Sequence, residues 1–172
     1  MIANRFIPLE TNAAGTKARD AETAQTVMLV PVTHLDARVV GIFHPALVTV
    51  FAIVEHNGQT LAATEFVHGR PLGDLFGGEP CHPRRAAEII SELADGVAEL
   101  HARGLAHGQI TLKTSLLTAK GKARLTMTSV DGGDEHGDVR RLRQMLVAIG
   151  GRSSPDLERA ESAAVLAALL RS

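Results

Sequence analysis

The sequence predicts an α+β protein in two parts, strands first and helices after. Three observations predict it. Up to Val67 the apolar residues run in short stretches with a period near two, and Asn57-Gly58 supplies a hairpin turn in which both central residues need positive φ. Gly69, Pro71, Gly73, Gly77, Gly78 and Pro80 then interrupt any regular pattern. From Ala86 the apolar spacing lengthens to about 3.6 residues, the period of a helix with one buried face.

In chain order, Arg5–Leu9 and Thr26–Val32 read as short strands, and the polar stretch between them, NAAGTKARDAETAQ, reads from its composition as a loop. His44-Pro45 opens a β stretch over Ala46–Glu55, and Gln59–Val67 returns from the Asn-Gly turn. The Gly/Pro linker leaves room for one helical turn. Ala86, Ile89, Ile90, Leu93, Val97 and Leu100 then share one helix face, with Pro83 in the first turn and Gly104 as the stop. A second hairpin pairs Ser115–Thr118 with Ala123–Thr128 around Lys120-Gly121. Asp138 reads as the N-cap of a helix with Val139, Leu142, Met145, Leu146 and Ile149 inward, stopped by Gly150-Gly151. A last helical stretch from Ser154-Pro155 places Leu157, Ala160, Ala164, Val165 and Leu169 on its apolar side.

Composition narrows the function classes. With 18 Lys and Arg against 19 Asp and Glu, no global field favours nucleic acid or a membrane surface. Aromatic residues are 3% and include no Trp or Tyr, which leaves little for base stacking. The longest apolar run, Ala46–Val54, is too short to span a bilayer. The N-terminus lacks the pattern of a signal peptide, and the single Cys81 forms no internal disulfide, so the expectation is cytoplasmic. The histidines show neither metal-ligand spacing nor clustering with the cysteine.

Leu105–Leu117, LAHGQITLKTSLL, resembles the catalytic loop of bacterial, eukaryotic-like Ser/Thr protein kinases, H-R-D-I-K-P-x-N-I-L-L. Other segments resemble that family in the same order. These are Ala18–Val32 for the second and third strands, His44-Pro45-Ala46-Leu47-Val48 for the H-P-N-I-V start of the next, and Glu65–Leu72 for the hinge. LADGVAELHARGLAHG resembles the long helix entering the catalytic loop, and Asp138-Val139 the start of the central helix of the second lobe. The resemblance implies one minimal, bilobal kinase-like domain. Residues 1–67 form a β-rich N-lobe, 68–80 a hinge, and 81–172 a truncated helical C-lobe.

Residue by residue, the resemblance places Gln109 at the catalytic Asp, Thr111 at the catalytic-loop Lys and Thr114 at the metal-binding Asn. Met127, Thr128 and Ser129 occupy D-F-G, and Val30 replaces the phosphate-binding Lys of V-A-x-K. The glycine-rich turn is reduced to Asn12–Thr16, and Thr33–Phe43 contains no Glu to pair with such a lysine. Glu65 and Val67 mark the hinge side of the cleft. His107 and Asp138 match residues that are structural in the family, one packed in the core and one holding the catalytic-loop backbone.

The expectation that follows is a pseudokinase. It would not be an enzyme, would use no cofactor and no metal, and would act in bacterial signalling as a protein-interaction or allosteric regulatory module. The partner would be a protein of unknown identity, with a homodimer through the C-terminal helices as one form, and neither nucleic acid nor membrane insertion would be involved. Two rivals remain open. One is a ligand sensor with an apolar cleft lined by Val30, Ala62, Val67, Leu116 and Met127. The other is a residual phosphotransferase using Asp131 of the DGGDEHG loop.

Overall fold

The computed structural model describes residues 1–130 and 132–172. Asp131, the residue of the phosphotransferase expectation, lies outside the described residues. The first part is a five-stranded antiparallel sheet of β1 (Phe6–Asn12), β2 (Gly15–Asp20), β3 (Thr26–Pro31), β4 (Val50–His56) and β5 (Gln59–Glu65), in the order β1-β2-β3-β5-β4. Asn57 and Gly58 both have positive φ, so the β4–β5 turn has the backbone its Asn-Gly sequence requires. Phe6, Ala18, Val27, Leu29 and Ala63 form a small core on one face of this sheet.

The loop read over NAAGTKARDAETAQ is corrected, because much of it is β2. Only Ala18 and Asp20 of that strand are buried, so no large apolar residue marks its alternation. A second, polar device secures it. Asp20 is 3% exposed and accepts two hydrogen bonds from the Arg5 guanidinium, at 2.9 and 2.7 Å, besides bonds from the Glu22 amide and the Thr23 hydroxyl. The Arg5 bonds hold its carboxyl well below the ordinary carboxylate range, although burial opposes them.

The strand expected from Ala46 begins at Val50. Upstream of it, His44–Leu47 forms a turn, and the Leu125 amide donates to the Ala46 carbonyl while the Val48 amide donates to the Leu125 carbonyl. This apolar run therefore joins the two parts of the molecule instead of extending the sheet. An apolar run satisfies either role equally well, which is why periodicity misplaced its start. Between β3 and β4, Thr33–Phe43 forms only a 3₁₀ turn, Ala37–Val39, capped by Asp36.

The second part opens with β6 (Gly69–Pro71) and a short α1 (Leu72–Phe76), followed by the long α2 (Pro83–Ala102). The expected apolar face of α2 is fully buried, and Gly96 on the same helix lets Leu47 approach: a Cβ there would stand 2.9 Å from the Leu47 side chain. β7 (Ser115–Thr118) and β8 (Ala123–Leu125) form the second hairpin and pair with β6 in a three-stranded sheet. α3 (Glu135–Ala148), α4 (Pro155–Glu158) and α5 (Ala163–Arg171) complete the chain. The large core runs from Val39 and Leu47 through α2 and β8 to α3 and α5.

Two helix readings are corrected. α3 starts before Asp138, and its N-cap is Asp134, whose carboxylate accepts from the His136 amide. Asp138 is thereby released to point inward. The last helical stretch is broken between Glu158 and Ala163, and Ser162 caps a new helix. The break resets the helical phase. Ala163, Leu166 and Ala167 turn inward, while Val165 is 48% exposed. Among the described residues, no helix is long and apolar enough to cross a membrane.

Candidate functional site

A cleft of about 360 Å³ opens between the sheet and the second part. Met28 and Val30 of β3 and Val48 form its sheet side. Phe66 and Val67 form its hinge, and Leu116 and Met127 its opposite wall. Of the apolar lining expected from sequence, Val30, Val67, Leu116 and Met127 meet here. Ala62 does not, being fully buried in β5 beside Val30. Lys113 also lines the cleft, and it makes no ion pair among the described residues.

Glu65 is the other charged residue at the cleft, and its charge is already engaged. Arg124 of β8 donates to both its carboxylate oxygens, at 3.0 and 2.7 Å, and also to the Leu47 carbonyl at 2.6 Å. The Thr49 amide adds a bond at 3.2 Å. Burial alone would raise the Glu65 pKa, but these donors outweigh it and the carboxyl lies below its ordinary value. Glu65 thus ties the hinge to the β7–β8 hairpin.

The loop between α2 and β7 is held from beneath. Asp138 is 1% exposed and accepts from the His107 amide at 2.7 Å, the Gly108 amide at 2.9 Å and the His101 ring at 2.9 Å. Burial pushes its carboxyl up, and the His101, Gly108 and His107 donors bring it below the ordinary value. The buried His107 ring accepts from the Gln109 amide at Nδ1 and faces the Thr126 carbonyl, 2.7 Å from Nε2. Only the neutral tautomer with the proton on Nε2 satisfies both contacts. Farther along, Thr114 Oγ1 donates to the Gln109 carbonyl and accepts from the Thr111 amide, each at 2.9 Å, so the loop closes on itself.

Gln109 is exposed and lines a second, more polar recess of about 760 Å³, which shares Thr128 with the apolar cleft. The structure therefore divides the sequence-derived positions. Val30, Glu65, Val67 and Met127 stand at the cleft, Gln109 at the recess, and Thr111 and Thr114 on the loop between them and β7. Met127 is only 2% exposed and is as much a core residue as a cleft residue. Sequence reasoning missed Arg124, His101 and Arg141. The Arg141 guanidinium donates to the Gly108 carbonyl. Nothing local in the sequence marks these three residues.

Solved structures of the Mycobacterium tuberculosis PknI kinase domain match nearly the whole chain. One aligns with a TM-score of 0.77 at 14% identity, covering 96% of this chain and 92% of that one. A double mutant of the same domain gives 0.79 at 15% identity, covering 99% and 96%. The chain has a protein-kinase-like fold. Relatives by sequence agree. Serine/threonine-protein kinase pkn2 of Myxococcus xanthus is 34% identical over 64 residues, 37% of this chain and 8% of that protein. CBL-interacting serine/threonine-protein kinase 21 of Arabidopsis thaliana is 24% identical over 96 residues, 56% of this chain and 23% of that protein. The kinase-like domain thus spans less than a quarter of the length of these curated relatives. No family model matches it.

These comparisons correct one expectation. The substitutions at Val30, Gln109, Thr114 and Met127 led to a reading of the chain as not an enzyme. Its relatives are named kinases and its structural neighbours are kinase domains, so the reading as not an enzyme does not stand. Departures from a motif do not by themselves exclude phosphoryl transfer, because its catalysis is mostly positioning and electrostatic stabilisation.

Proposed function

We propose that this kinase-like domain is a regulatory module in bacterial signalling whose state is set by a ligand in the interlobe cleft. The observation that carries the reading is the cleft itself, which is open, lined mainly by apolar side chains, and bounded by the hinge on one side and by Leu116 and Met127 on the other. A site of this kind between two lobes is a usual place for a small ligand. A ligand there touches both lobes, so its occupancy biases their relative arrangement. A cytoplasmic setting belongs to the proposal and rests on the free thiol of Cys81.

The test is a melting-temperature panel of flat apolar heterocycles, nucleosides, and ATP with and without Mg²⁺, with phosphoryl transfer measured on the same samples. A ligand at a hundred times its Kd stabilises by about 2.7 kcal/mol, which corresponds to roughly 5–10 °C for a chain of this size. Val30→Phe, which narrows the cleft, should remove that shift. A panel in which nothing raises the melting temperature overturns the reading.

A second reading is favoured by α5. Between Ala163 and Leu170 this helix carries no polar side chain, yet Val165 and its neighbours Ala164 and Ala168 face solvent. A helix apolar on all sides is ordinarily covered. The proposed cover is a second copy of the chain, whose own α5 presents the same exposed apolar side chains. Val165→Glu should then shift a concentration-dependent dimer to monomer in sedimentation. A wild-type chain that stays monomeric at high concentration removes this reading.

A further inference from the structure

The hinge borders more than the cleft. Phe66 and Val67 also line two recesses of about 520 and 500 Å³ beside the β7–β8 turn. The recesses share Phe66, Val67, His68, Thr118 and Ala119, so they form one groove. Its lining is apolar at Phe66, Val67, Leu75 and Leu117 and basic at Arg70, Lys120 and Lys122. These three basic residues are exposed, and none makes an ion pair among the described residues. Glu65 is the one carboxylate among the described lining residues, and Arg124 already occupies it. Lys122 also borders a further recess with Glu92 and Asp95. Both are engaged: Glu92 accepts from the Ala123 amide at 2.7 Å, and Asp95 pairs with Arg171. A chain with 18 basic and 19 acidic residues thus carries a local surplus of positive charge along this groove. The turn that bears the lysines is fixed before anything binds. The Arg85 guanidinium donates to the Gly121 carbonyl at 2.6 Å, and the Gly121 amide donates to the Thr118 carbonyl at 2.9 Å. The Ala119 amide reaches the His68 carbonyl at 3.2 Å, which joins the turn to the hinge. A pre-formed groove has less ordering to lose on binding.

We infer that this groove docks an extended acidic segment of a partner protein, which sets apolar side chains against Phe66, Val67 and Leu117 and carboxylates against Arg70, Lys120 and Lys122. Side chains of an extended segment alternate between two sides, so one segment presents both an apolar and an acidic row. The charges steer and select the partner, while the apolar contacts supply most of the hold, because exposed ion pairs contribute little. Nucleic acid fits less well. Single strands are held largely by stacking of bases on aromatic faces. Phe66 is the one Phe, Tyr or Trp among the described lining residues, and its ring already carries Lys17 at 4.5 Å and packs at right angles to His68. Nothing in this docking depends on what occupies the cleft.

The experiment uses the intact chain and pools of short fluorescent peptides, read by anisotropy at low salt. One pool alternates Asp or Glu with Leu, Val or Phe. A second pool replaces the acids with Lys, and a third replaces the apolar residues with Ser. At least one member of the first pool should bind about tenfold or more tighter than its counterparts in the other two, and its binding should weaken as salt is raised. Lys120→Glu combined with Lys122→Glu should weaken the acidic peptide by about tenfold or more and transfer the preference to its Lys counterpart. Both lysines are exposed, so the double variant should melt as the wild type does, and a folding defect does not produce a swapped preference. Equal binding of acidic and basic peptides, equal binding with and without the apolar residues, binding untouched by the double reversal, or no binding by any member overturns the docking site. Oligothymidylate that binds more tightly than every peptide, and is lost in the same variant, overturns it in favour of a nucleic-acid surface.

Discussion

Replacing Asp138 with alanine is expected to lower stability by about 3–5 kcal/mol, the largest single effect in the C-lobe. The carboxylate serves three donors at once. It accepts from two backbone amides, at His107 and Gly108, and from the His101 ring, inside a site where it is 1% exposed. Each buried donor left unmade costs about 1–3 kcal/mol. For a chain of this length the melting temperature should fall by roughly 6–20 °C. Asp134→Ala removes an exposed N-cap on the same helix and should cost only about 1 kcal/mol. If the two variants melt alike, Asp138 is not holding the loop. The pH dependence carries a sign. The folded pKa of Asp138 is depressed, so its contribution is fully present above the unfolded value near ~4. It is lost as the pH falls through the folded value. The gap between wild type and Asp138→Asn should therefore narrow on acidification through that range.

Arg124→Met should be the second large effect, about 2–3 kcal/mol. The guanidinium is 16% exposed and the Glu65 carboxylate 32%. Removing one partner leaves a partly buried charge with only the Thr49 amide to hold it. The Leu47 carbonyl loses its bond as well. Glu65→Gln in the same background should recover part of the loss, because the uncompensated charge is gone. Chemical denaturation of the two single variants and the double variant forms the cycle that measures this coupling. Losses that simply add would show that the hinge and the β7–β8 hairpin are joined by other contacts. Because Arg124 also holds the carbonyl beside Val48, Arg124→Met should loosen the cleft and weaken any ligand found there.

By itself, the sequence determined what depends on near neighbours. The Asn57-Gly58 turn needs only two residues that accept positive φ, and both have it. The apolar face of α2 needs only the right spacing, and every residue named on it is buried. The order of strands and helices, together with the motif-like segments, led to the kinase-like fold that the structural neighbours share. Reading chemistry from single motif positions carried less far, as the correction on enzymatic character shows. Tertiary structure decided what depends on distant partners. Glu65 and Arg124 are 59 residues apart, and Asp138 and His107 are 31 apart. A charged residue shows its neighbours in sequence nothing of the charge it will meet after folding, so nothing in the sequence marked the partners of Arg124 and Arg141. The same reason hid β2, whose register is secured by the Arg5–Asp20 pair and not by apolar alternation. Helix phase was lost for the same kind of cause. The chain breaks between α4 and α5, and the break sends Val165 outward and Leu166 inward, because burial against α2 outweighs the continuity of one longer helix.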